Sequence, residues 1–168
     1  MAPCIVPAVP KPRPQFVDFR LDERAPVLTV MRSLLAERDG WINLAPALEV
    51  EEVPEPPGTL ARVFGPKGPM IPFGTWVPGA RKRGSVEPTS LGLQHGSGPK
   101  AIGRLRDAGI RVPEGWKVLS DHPRRGVVLS LPDGTRPEDA LDWLLEAAIV
   151  LTDANIDLRA DWRAGIYR

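Results

Sequence analysis

Cysteine is nearly absent from this chain. Cys4 is its single copy, which excludes an internal disulfide and a cysteine metal cage and fits a reducing compartment. Net charge is equally scarce. With 22 Lys and Arg against 21 Asp and Glu the formal balance is +1, so nothing global draws the chain to nucleic acid, and such binding would need a local patch. No apolar run is long enough to span a bilayer, and the start lacks the charged-then-apolar layout of a secretory signal. The expectation is a cytoplasmic protein with no membrane partner. The two histidines, His95 and His122, and the acids around them show no metal-ligand spacing, and neither a metal nor a cofactor is expected.

Proline and glycine are plentiful instead, 20 and 16 in 168 residues, and they punctuate the chain without a repeat. Residues 1–15 carry Pro3, Pro7, Pro10, Pro12 and Pro14, which favours an extended arm, leaving residues 16–168 as a single α+β domain. Phe16, Val17 and Phe19 are expected to touch its core. Val27, Val30, Met31, Leu34 and Leu35 recur at helical spacing before Gly40 and predict a first helix over residues 26–38. Trp41, Ile42 and Leu44 continue apolar to Pro46, after which four glutamates among prolines read as an acidic surface linker.

Residues 60–64 and 70–77 predict a hairpin, with Pro72 placing its second strand at a sheet edge or bulge. Arg81, Lys82 and Arg83 follow in a glycine-bounded loop. Three cations beside Trp76 could grip phosphates while the indole stacks a base, although a tryptophan there more often belongs to the core.

The stretch Leu91 to Lys100 breaks from an alternating apolar run into a glycine-rich turn and then a helix over residues 98–108. Ser97 is the expected N-cap, Ala101, Ile102, Leu105 and Ala108 the buried stripe, and Gly109 the terminator. The turn is neither a Walker A loop nor a dinucleotide fingerprint. Residues 116–120 and 126–131 predict two antiparallel strands. Thr135 and Glu138 form a capping-box pattern before a helix over residues 136–151, and Trp162, Ala164 and Ile166 alternate as a terminal strand.

From residue 89 onward the order is strand, helix, strand, strand, helix, strand, the order of a ferredoxin-like βαββαβ sheet, to which the first helix and the hairpin would add. Direction-counting then brings residues 95–100 and 121–125 to one end, together with Asp153, Asn155 and Asp157. His95, Gly96, Ser97, Gly98, Lys100, His122, Arg124 and Arg125 become a candidate site for a phosphate-bearing ligand, held by helix amides, a lysine and an arginine fork. Two other readings use the same residues or none of them. An enzyme could employ His95 or His122 as acid or base with Asp121 orienting an imidazole. An interaction protein could assemble, most simply as a homodimer, through its arm, edge strand or basic loop.

Overall fold

The structure is a computed structural model that describes residues 14–48, 71–82, 84–152, 158 and 161–168. The arm to residue 13, the acidic linker, the first strand of the expected hairpin, Arg83 and the stretch holding Asp153, Asn155 and Asp157 lie outside the described residues. In chain order the elements are β1 (Gln15–Arg20), α1 (Ala25–Glu37), β2 (Trp41–Pro46), β3 (Phe73–Val77), β4 (Arg81–Lys82), β5 (Ser85–Val86), β6 (Thr89–Gln94), α2 (Ala101–Asp107), β7 (Lys117–His122), β8 (Gly126–Leu131), α3 (Pro137–Leu151) and β9 (Asp161–Tyr167).

Alternating apolar residues put one face of every strand of the large sheet except the edge strand β7 on a core, and seven strands join in the order β1-β9-β2-β3-β6-β8-β7, every neighbouring pair antiparallel. β4 and β5 make a separate small hairpin between β3 and β6. The long sheet contains two similar units. β1, α1 and β2 straddle β9, while β6, α2 and β7 straddle β8. Helix α3 links the two units, carrying the chain from β8 past β6, β3 and β2 to β9.

The three described helices share one face. α3 packs against both α1 and α2 and against the middle strands β3 and β6. Its buried stripe, Ala140, Leu141, Leu144, Leu145, Ala148 and Leu151, meets Trp76, Leu91, Leu93, Val127, Leu129, Trp162 and Ala164 from the sheet in one core. Where α3 crosses β3 the packing is close, since a Cβ on Gly74 would stand 2.7 Å from the methyl carbons of Leu144 and force that side chain to move. Trp162 is fully buried in β9 and its indole N–H donates to the Leu158 carbonyl at 2.9 Å. Arg24 with Asp142, and Arg32 with Glu138, tie α1 to α3 on the outside.

Several expectations are corrected. β9 does not pair with β6, because β2 and β3 stand between them, so the four strands of the expected ferredoxin-like unit form no sheet of their own. β3 is the fourth strand of seven instead of an edge, and Pro72 precedes its first paired residue, where a missing donor costs nothing. Of the three residues expected to touch the core, Phe19 is buried in it and Val17 packs against it, whereas Phe16 lies exposed on the other face, and all three belong to a full edge strand. The Thr135 hydroxyl donates to the Pro132 carbonyl at 2.8 Å instead of capping α3, which begins at Pro137 with Arg136 as its N-cap. Glu138 turns to its own backbone amide and to Arg32, which hold its carboxyl below the usual range.

Candidate functional site: the uncovered sheet face

The loops expected to hold an anion meet at one end of the sheet, but a carboxylate of the chain itself occupies their amides. Asp121 Oδ1 accepts from the Ala101 N–H and Oδ2 from the Ile102 N–H, each at 3.1 Å. That is the bonding an N-cap provides, supplied from β7 instead of from the local sequence. Ser97 is therefore not the cap. It is buried with His95, and its hydroxyl shares a 2.9 Å hydrogen bond with His95 Nδ1, while its carbonyl accepts from Arg104. Helix α2 starts at Ala101, three residues later than expected, after Gly98 and Lys100 both turn through positive φ, 87° and 62°.

Gly96 and Gly98 are buried in this turn, whereas Lys100, Arg124 and Arg125 are exposed. His122 Nδ1 accepts from the Arg124 and Arg125 amides at 3.1 and 3.3 Å, closing the β7–β8 turn. The two histidines consequently have separate structural tasks, one beneath the α2 turn and one in the hairpin. β9 enters from this same end but three strand spacings from β6, about 14 Å away.

The larger feature is the opposite face of the sheet. Because the three described helices lie on one side, the register leaves Phe16, Asp18 and Arg20 of β1 on a side that no described residue outside the sheet is seen to cover, here called the uncovered side, beside Asp161, Arg163, Gly165 and Tyr167 of β9. Trp41, Asn43 and Ala45 follow on β2, Phe73, Thr75 and Val77 on β3, and Ser90, Gly92 and Gln94 on β6. Val128 and Ser130 of β8 and Lys117, Ser120 and His122 of β7 complete it. Phe16 is 62% exposed, Trp41 38% and Phe73 36%.

Charge is confined to the two sides of this face. β2, β3, β6 and β8 contain no Asp, Glu, Lys or Arg on either surface. At one rim Arg163 grips Asp18 through Nε at 2.6 Å and a second nitrogen at 3.0 Å, and lies 6.0 Å from the Phe16 ring centre. These contacts hold the Asp18 carboxyl below its ordinary range and raise the Arg163 guanidinium. At the other rim stand Lys117 and His122.

Between the rims the surface is aromatic, amide and hydroxyl. Trp41 and Tyr167, paired across β2 and β9, stack with centroids 5.0 Å apart and planes 2° from parallel. The rings of Phe16 and Tyr167 lean over Gly165, each within 3.4 Å of where its Cβ would be. Thr75 Oγ1 donates to Asn43 Oδ1 at 3.0 Å in the middle of the face. Gly92 is different, for a Cβ there would meet nothing within 4 Å. The result is a broad surface with aromatic shoulders and a low, uncharged centre.

This face was missed in the sequence, although a signal existed: the absence of charge from four strands. An antiparallel strand with one solvated side ordinarily alternates apolar with polar, often charged, residues. Among the described residues no group of His, Cys, Asp and Glu is arranged to hold a metal, and no described helix is long and apolar enough to cross a membrane. No family model, curated protein or solved structure matches the chain.

Proposed function

We propose that this chain is an interaction module whose working surface is the uncovered face of its sheet. The observation that carries this reading is the uncharged centre, formed by four adjacent strands and flanked by charged rims. Interface cores are depleted of charge and enriched in aromatic residues, with polar and charged groups at their edges. An uncharged protein surface can cover Trp41, Phe73, Val77 and Val128 while meeting the hydroxyl and amide groups with hydrogen bonds. In this reading β6–α2–β7–β8–α3–β9 is a ferredoxin-like unit widened by β2 and β3, and the widening makes the face broad enough to serve as an interface.

The other readings have less support. A phosphate at the α2 turn would have to displace Asp121 from two amides. Acid–base chemistry would need histidines less committed than His95, buried against Ser97, and His122, tied to its turn. Single-stranded nucleic acid stacks on aromatic sheet faces but also needs cations along its phosphates, and the middle of this face has none.

A photo-reactive side chain at position 92, where space is open, tests the reading inside cells, with the same group at exposed Glu146 on α3 as the reference. Cross-linked protein is expected from position 92 in clear excess over position 146. Equal yields, or none from position 92, would contradict the use of this face.

A further inference from the structure

Resting on that reading, we infer that the occupant of the uncovered face is a second copy of this chain, packed sheet against sheet to close a sandwich. Area is the first argument. Seven strands about 4.8 Å apart and about 20 Å long present about 600 Å² per copy, so two faces together remove about 1,200 Å² from water, enough for a specific dimer at the lower end of the standard range. Aligned sheets about 10 Å apart bring opposing side chains into contact.

Electrostatic matching is the second argument. A partner with charges at its centre would strand them against β2, β3, β6 and β8, where nothing can pair with them. The matching surface must itself be broad and uncharged, and this chain carries such a surface. The rims do not oppose the pairing. Asp18 is satisfied by Arg163, Arg20 lies 3.4 Å from Asp22 and 4.0 Å from Asp161, and the net charge of +1 sets up little repulsion between copies.

Position is the third. β3 is the middle strand of the sheet and Thr75 the middle residue of β3. A two-fold axis beside Thr75 superimposes nearly the whole of both faces, as an isologous contact requires. Gly92 is the direct neighbour of Thr75 on β6, so a side chain added there would enter the contact near its centre.

Sedimentation analysis of the full chain from low to high micromolar concentration tests this. The wild type and Gly92→Ser are expected to form dimers. Gly92→Glu, whose carboxylate would be buried without a partner, is expected to weaken association at least about a hundredfold while leaving the circular dichroism spectrum intact. If Gly92→Glu fails to fold, Thr75→Lys makes the same comparison one strand away. A wild type that stays monomeric, or a dimer that survives both charged variants, overturns the inference. The interaction reading fails separately: a monomer in solution combined with an excess of heterologous adducts from position 92 defeats only the homodimer. A monomer whose face becomes labelled only after residues 49–70 are deleted assigns the face to that segment instead.

Discussion

Asp121 shows how one residue can change the reading of a site. Sequence spacing made Ser97 the natural cap for α2, because caps are ordinarily local. In the fold, the helix starts later and β7 delivers a carboxylate to the Ala101 and Ile102 amides from about twenty residues away. No spacing rule anticipates that, since the contact exists only after β7 has paired with β8 and α2 has docked beside it. Asp121→Ala should therefore destabilise the protein by about 1 kcal/mol, the usual cost of losing a helix cap. A lowered urea midpoint with an unchanged slope would show this, and an unchanged midpoint would mean that the two bonds contribute nothing. Other residues were legible because their reasons are local. Gly109 ends α2 with φ of 88°, and Trp76 lies in the core, 1% exposed.

At the scale of elements, periodicity was informative and pairing was not. The α1 and α3 stripes and the strands β7, β8 and β9 appear close to the residues that their apolar patterns indicate. β1 and β2 read in the sequence only as apolar stretches, because each is short and the strand that joins them, β9, comes more than a hundred residues later. Element order cannot specify that β9 enters between them, or that β2 and β3 take the place beside β6. β1 is held at the edge by β9 on one side only, and its outer face adds the Asp18–Arg163 pair.

The pH dependence of that attachment follows from the lowered Asp18 pKa, caused first by the Arg163 hydrogen bond and then, with burial opposing it, by the Arg163 charge. A carboxyl whose folded pKa is depressed contributes its full stability above its unfolded pKa and loses it as pH falls through the folded value. Because the pair is more than half exposed, the effect is small. Asp18→Asn should lower the melting temperature by about 1 to 3 °C at neutral pH and leave it unchanged in strong acid, where the wild-type carboxyl is also protonated. A deficit that persists undiminished in acid would show that the asparagine acts by some route other than lost charge.

For the molecule as described, the decisive asymmetry among the described residues is three helices on one face of a seven-stranded sheet and none on the other. The candidate anion corner could be drawn from the sequence because glycine turns and cations are visible as letters. The open face could not, because it is defined by which side of every strand lacks a helix, a property of the assembled sheet. Hydroxyl-radical footprinting of Trp41, Phe73 and Tyr167 measures the use of that face most directly, comparing dilute purified protein with protein inside cells and taking exposed Leu119 of the β7 bulge as reference. The three aromatic residues should be labelled readily in dilute protein and become protected in cells while Leu119 does not. Equal labelling in both settings would contradict the assignment of this face as the interaction surface.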